Sequence, residues 1–132
     1  MKIEEILREH KKNVTPERVS IFKKMQEFHI FSARDIEVNF PEIPRASIFR
    51  AIKLFSQIGV LRRVSLEACL EQYEVNSHTH HHEHMKCESC GKILSFESDF
   101  LCKLLTQVAK NHKFKLREHS INLFGKCSEC CN

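Results

Sequence analysis

Residues 81–92 read His81-His82-Glu83-His84-Met85-Lys86-Cys87-Glu88-Ser89-Cys90-Gly91-Lys92, a histidine cluster running straight into a Cys-x-x-Cys-Gly turn. Two thiols separated by two residues sit on one turn and reach one ion. A second pair with the same spacing, Cys127 and Cys130, lies near the end of the chain. Two such turns close a tetrahedral four-thiolate shell, which suits zinc and leaves no open position for catalysis. Cys131 is adjacent, but Cys130 matches the spacing of the first pair. The interval between the pairs is longer than in a simple zinc ribbon and has room for a strand–helix–strand excursion. The plainer alternative is two reducible disulfides or loose core thiols.

The histidine cluster lies just upstream. On a strand, alternate residues face opposite sides, so His82 and His84 face one way while His81 and Glu83 face the other. One short segment can therefore serve two different metal sites. A His/carboxylate donor set suits Fe(II), Mn(II) or Zn(II), and ligand type alone does not choose among them. The plainer alternative is a solvated linker that binds metal weakly.

Composition sets the frame. The chain has 132 residues, 42% hydrophobic and 29% charged, with seven cysteines and nine histidines. That is room for one ordinary domain or two small ones, and the balance is that of a globular chain. No apolar run reaches membrane-spanning length and no secretion signal opens the chain. A reducing cytoplasm is then the expected compartment, where clustered cysteines more often bind metal than pair. An odd cysteine count also argues against a complete disulfide framework within one chain. The net charge of +4 is compatible with a nucleic-acid partner without requiring one.

The metal-ligating residues divide the chain. Residues 1–68 hold no cysteine and only His10 and His29 among the histidines. The charge does not divide: residues 1–76 carry 13 basic and 11 acidic groups, and residues 77–132 carry 8 and 6. We place a first domain at residues 1–76, a hinge at 77–80 and a second, metal-binding domain at 81–132; the family resemblance described below implies that the first is a winged-helix DNA-binding domain and the second a dimerisation domain. The polar run Asn76-Ser77-His78-Thr79 marks the boundary.

The first part reads as helices followed by a hairpin. Ile3, Ile6 and Leu7 form one helical face. Thr15 followed by Pro16 is an N-cap and a first-turn proline, and Val19, Phe22, Met25 and Phe28 continue the buried face. Ser32 caps a third helix with Ala33, Ile36 and Phe40 inward. A fourth runs from Arg45 to about Ile58 on a stripe of Ile48, Ala51, Ile52 and Phe55, and Gly59 ends it. Residues 60–64 and 72–75 read as two strands. Helices followed by a two-stranded hairpin are the order of a winged helix-turn-helix. The second part reads as α/β: strands at 85–87, 93–96, 114–116 and 120–124, and a helix from Ser98 or Asp99. Leu101, Leu104, Leu105 and Val108 are its expected inward face. So short a domain has a thin core, and a metal staple is expected.

Over nearly its whole length the chain resembles the ferric uptake regulator family of bacterial metal-responsive repressors. Thr15-Pro16-Glu17-Arg18 resembles the family's T-P-Q-R, and Ser32-Ala33-Arg34-Asp35-Ile36 its S-A-E-D-L. Ser47-Ile48-Phe49-Arg50-Ala51-Ile52 is similar to its recognition-helix T-V-Y-R-x-L. Residues 81–92 resemble H-H-D-H-x-x-C-x-x-C-G-K, and residues 119–127 resemble H-x-L-x-L-Y-G-x-C. The resemblance implies a homodimer, paired through the C-terminal halves, that grips an AT-rich inverted-repeat operator in double-stranded DNA. It implies a repressor of metal-homeostasis genes, iron foremost, with a peroxide-sensing or zinc-sensing regulator of the same superfamily as the alternative.

The resemblance also implies sites. Cys87, Cys90, Cys127 and Cys130 match structural zinc ligands. Glu74, His82 and His84 match a regulatory hinge site for a second divalent ion, Fe2+, Mn2+ or Zn2+. His29 lies one residue before the position where the family places a further histidine, which is Ile30 here. His81, Glu83 and His119 match an accessory site whose helix carboxylate is Cys102 in this chain. A thiol there softens the site towards zinc or makes it oxidisable. Ser95 stands where a carboxylate is common. Cys69 is another candidate soft ligand, and the plainer alternative for both Cys69 and Cys102 is a simple packing residue.

A helix whose N-terminal half enters the major groove reads bases through its exposed side. Arg45, Ser47, Phe49 and Arg50 are the candidate contacts, with Arg50 on guanine or phosphate and Phe49 against a thymine methyl. Arg18, Lys53, Arg62 and Arg63 are candidate phosphate contacts. A zinc hydrolase or deaminase is disfavoured by the closed thiolate shell and by the lack of a His-x-Glu…Cys-x-x-Cys arrangement. No enzymatic activity is expected. A zinc-ribbon interaction module without DNA binding leaves the recognition-like helix unexplained.

Overall fold

In the computed structural model of the chain, residues 2–67, 69–76 and 83–131 are described. The expected hinge at 77–80, with His78, His80, His81 and His82, lies outside the described residues. The chain divides into two compact units, Met1–Ser77 and His78–Asn132, each taken by itself below.

The first unit is helical and closes on a small sheet. α1 (Ile3–Glu9) buries Ile3 and Leu7, and α2 (Pro16–Met25) buries Ile21, Phe22 and Met25. Thr15 caps α2 by accepting from the Arg18 N–H, and Pro16 fills the first turn, where no donor is needed. Phe28 lies beyond the end of the helix and is half-buried. A two-residue strand, β1 (Phe31–Ser32), precedes α3 (Ala33–Glu37). Ser32 and Asp35 form a full capping box that fixes where α3 begins.

α4 (Arg45–Gln57) buries Ile48, Ala51, Ile52, Leu54 and Phe55. It ends in a Schellman arrangement, with Val60 N–H donating to the Phe55 carbonyl (2.8 Å) and Gly59 N–H to that of Ser56 (3.2 Å). Gly59 adopts φ +79°, a left-handed conformation that suits glycine. The rings of Phe22 and Phe55 meet edge-on at 5.5 Å and tie α2 to α4. β2 (Leu61–Glu67) and β3 (Leu70–Val75) form the hairpin, and the sheet order is β1-β3-β2. β1 has no helical or strand periodicity of its own in the sequence. It forms because Phe31 and Ser32 pair with Tyr73 and Gln72 of β3.

The second unit is built on β4 (Glu83–Cys87), with β5 (Ile93–Phe96) antiparallel on one side and β6 (Asn122–Gly125) parallel on the other. A parallel neighbour requires a crossover, and α5 (Asp99–Asn111), capped by Ser98, supplies it. Two expectations fail here. Residues 114–116 form no strand, since alternation without a ladder partner makes none, and Phe114 is exposed. The expected inward face of α5 is largely outward: Leu104 and Val108 are 48% and 49% exposed, and only Ala109 of the helix is buried. Across the sheet, Leu94, Met85 and Leu123 stand in one row and are exposed as well. A unit this small has too little apolar surface to cover both its sheet and its helix from within one chain.

Candidate metal centres and nucleic-acid face

The four-cysteine cluster follows from strand register. Cys87 ends β4 and pairs with Gly125 of the parallel β6, while Glu88 N–H donates to the Gly125 carbonyl (2.8 Å). That register carries the chain after β6 back beside Cys87, and Cys127 N–H donates to the Cys87 sulfur (3.3 Å). The first turn closes with Gly91 N–H on the Cys87 carbonyl (2.9 Å), Gly91 taking φ +78°. The second closes with Cys130 N–H on the Cys127 carbonyl (2.9 Å).

The ligand atoms of Cys87, Cys90, Cys127 and Cys130 all lie within 4.8 Å of one another. A tetrahedral zinc site with Zn–S near 2.3 Å has S···S edges of about 3.8 Å. The Cys90 and Cys127 sulfurs stand 3.8 Å apart, so the donor set fits that ion. Cys131 is outside the group, and its thiol donates to the Lys126 carbonyl.

The protonation of these thiols is uneven. Backbone N–H groups of Cys127 and Cys90 donate to the Cys87 sulfur and pull its thiol down to about 6. The Cys127 and Cys87 sulfurs push Cys130 up to about 12. At Cys90 the Lys92 N–H pulls down, but the Cys87 sulfur, burial and the Cys127 sulfur together outweigh it and raise the thiol. The Cys87 thiolate therefore forms readily, while Cys90 and Cys130 need a cation to offset the repulsion of the neighbouring sulfurs.

A second cluster lies at the start of β4. Glu83 is 2% exposed, and its Oε2 accepts from the Ile121 N–H (2.6 Å). Its Oε1 lies 3.2 Å from His119 Nε2, and the Cys102 sulfur of α5 lies 3.5 Å from the same nitrogen. Glu83 and Cys102 thus both approach His119, although among the described residues the ligand atoms that group closely enough to share one ion are those of the four cysteines; the fourth expected accessory-site residue, His81, lies outside the described residues. A carboxylate, an imidazole and a thiol form a mixed hard and soft donor set that accommodates zinc as readily as iron. His84, the next residue along β4, points to the opposite face, is also buried, and pairs in register with Ser95 and Asn122.

Two further expected regulatory ligands, Glu74 and His29, belong to the first unit. Glu74 is in β3 of the first unit, buried, with Arg62 Nη1 at 3.2 Å from its Oε1. His29, before β1, is exposed. His82 lies outside the described residues. Cys69, in the turn between β2 and β3, is exposed. The expectation that Arg62 contacts phosphate is corrected: its side chain is only 10% exposed and committed to Glu74. The sequence did not show this, because it is the hairpin register that sets Arg62 directly opposite Glu74.

α4 has the electrostatics of an anion-facing helix. Its N-cap is Pro44, with no capping side chain, and its first turn holds no acidic residue. The other four helices each carry acid there. The N-terminal end of α4 thus keeps its partial positive charge and adds Arg45. Arg45 is exposed and pairs with Glu37 at 3.3 Å. Phe49 is 50% exposed. Arg50 is exposed and donates to the Ser47 hydroxyl (3.1 Å). Arg18 of α2 donates to the Asn13 carbonyl and shares a cleft of about 190 Å³ with Ser47 and Arg50. The structure thus brings Arg18, Ser47 and Arg50 to one side of α4, and Arg45 and Phe49 to a second cleft formed with α3 and β3. Lys53 is exposed, and Arg63 is exposed with Glu71 at 3.1 Å.

A helix-turn-helix with a hairpin wing, followed by an α/β unit positioned for a four-thiolate zinc staple, defines a winged-helix chain of the metal-stapled kind. This chain belongs to the ferric uptake regulator family, whose profile matches residues 7–124. It is 30% identical to the ferric uptake regulation protein of Campylobacter upsaliensis, over 98% of this chain and 86% of that one. The solved ferric uptake regulator of Vibrio cholerae superposes with a TM-score of 0.73 at 26% identity, covering 93% of this chain and 98% of that one. That of Francisella tularensis, solved with iron, gives 0.69 at 26% identity, covering 91% and 95%. The family is one of regulators rather than of enzymes. Among the described residues no helix is long and apolar enough to cross a membrane.

Proposed function

We propose that this protein is a metal-dependent transcriptional repressor that binds an AT-rich inverted repeat as a homodimer and controls metal-homeostasis genes, those of iron first. The observation that carries the reading is the bare, positively charged N-terminus of α4, flanked by Arg18, Arg45 and Arg50, on a chain of this family. Cys87, Cys90, Cys127 and Cys130 hold Zn2+ and keep the second unit folded. A second divalent ion, supplied to the residues matching the family's regulatory and accessory sites, favours the DNA-gripping state by binding it more tightly than the other.

The exposed row of Leu94, Met85 and Leu123 and the outward face of α5 supply an apolar surface for a second copy of the chain. A zinc-sensing reading has one observation of its own, the thiol of Cys102 beside His119 and Glu83.

Selection of binding sequences from a random duplex pool tests the proposal. Pools enriched in Mn2+ should converge on an AT-rich inverted repeat, and pools taken through a chelator should not. Equal enrichment of all sequences in both arms would overturn it.

A further inference from the structure

The buried ion pair of the hairpin bears on the regulatory metal, and the argument rests on the reading of Glu74 as the position of a family metal ligand. Arg62 and Glu74 face each other directly across β2 and β3, with their side chains 10% and 6% exposed and charged atoms 3.2 Å apart. On the other edge of β3 the register runs Phe31 opposite Tyr73, and the residue preceding Phe31 is Ile30, which offers no ligand. A guanidinium cannot lose its proton in this range, so Arg62 is a permanent cation at that carboxylate. A divalent ion reaching Glu74 must either displace the guanidinium from this carboxylate, giving up the 3.2 Å ion pair, or bind beside it against repulsion. Either route opposes binding.

We propose that Arg62 withholds Glu74 from metal, acting as a built-in cation in place of the ion, so that the effector is bound without this carboxylate. The winged-helix hairpin is then locked by its own ion pair, and metal specificity is set by the ligands of the second unit. Arg62 is a specificity-determining residue: it sets how much metal the protein needs before it responds.

The test uses the full-length, zinc-loaded protein and Co2+ as probe, read by its visible ligand-field bands and by calorimetry. Glu74→Gln should leave Co2+ affinity within about twofold of the parent, as for uncoupled groups. Arg62→Gln, which keeps an amide donor for Glu74 and so preserves packing, should tighten Co2+ binding. Coupling between two binding events is commonly about 5–150-fold, and we expect roughly tenfold here. Adding Glu74→Gln to Arg62→Gln should cancel that gain. A large loss of affinity in Glu74→Gln alone, or no gain in Arg62→Gln, would overturn the proposal. Should Arg62→Gln fail to fold, the Glu74→Gln comparison decides alone. DNA binding is read separately: absence of operator binding with every metal would refute the proposed function while leaving this Co2+ comparison intact.

Discussion

Removal of a metal held by the four thiols should unfold the second unit and leave the first one folded. The two units differ in what holds them. The first has a continuous apolar cluster that runs from Ile3 and Leu7 through Phe22, Ile48 and Phe55 to Leu61. In the second, Cys87 and Ala109 are the buried apolar side chains among the described residues, and one of those is itself a candidate ligand. A structural zinc site contributes about 10–16 kcal/mol of apparent binding free energy at neutral pH. The whole net stability of an ordinary domain is about 5–15 kcal/mol. A unit with so little core therefore does not survive the loss. The perturbation is either a strong chelator or Cys130→Ala, which removes one ligand from a half-buried turn without opening a cavity in packed core. Hydrogen–deuterium exchange read peptide by peptide is the assay. Amides of β4 and β6 should exchange at unfolded rates in the metal-free protein, while those of α4 and β3 keep their protection. Protected β4 and β6 amides after verified metal loss would refute the reasoning.

Other predictions follow from the same geometry. Zinc uptake at pH 8 should release the protons of at least Cys90 and Cys130, both held above the ordinary thiol range, as read by calorimetry in buffers of different ionisation enthalpy. Cys87 differs: within the assembled four-thiol site its thiol is depressed to about 6, so above that pH its thiolate is already formed and gives up no proton to zinc. Zinc affinity should weaken more steeply with acid below that point. Arg50→Ala should weaken operator binding by about 1–3 kcal/mol with an unchanged melting curve; an unaltered Kd would remove Arg50 from the interface. Leu104→Lys should yield a folded monomer by sedimentation, because Leu104 is already 48% exposed within one chain; a persistent dimer would place the interface elsewhere. Ser32→Ala should cost about 1 kcal/mol by loss of the α3 capping box.

Local chemistry that the sequence states outright carried through to the structure. Thr15-Pro16 and Ser32 announced helix starts, and Gly59 a helix end, because caps are satisfied by residues only a few positions away. The paired cysteine spacing pointed to one four-thiolate cluster, which the structure assembles through the parallel register of β4 and β6. What was not legible depends on partners distant in the chain. β1 exists only because β3 offers an edge to Phe31 and Ser32. Arg62 reads as a surface cation until hairpin register sets Glu74 opposite it. The amphipathic pattern of α5 was real, but periodicity states that a face is apolar and not what covers it. Leu104 and Val108 belong to that apolar face and remain about half exposed.

Fluorescence anisotropy tests metal-dependent DNA binding most directly. Zinc-loaded protein is titrated onto a labelled AT-rich inverted repeat and a scrambled duplex, with Mn2+, anaerobic Fe2+ or buffered Zn2+ added separately. The account predicts tight, salt-sensitive binding to the inverted repeat that appears with one of these ions and is reversed by chelation. Equal binding to both duplexes, or binding indifferent to every ion, would contradict it.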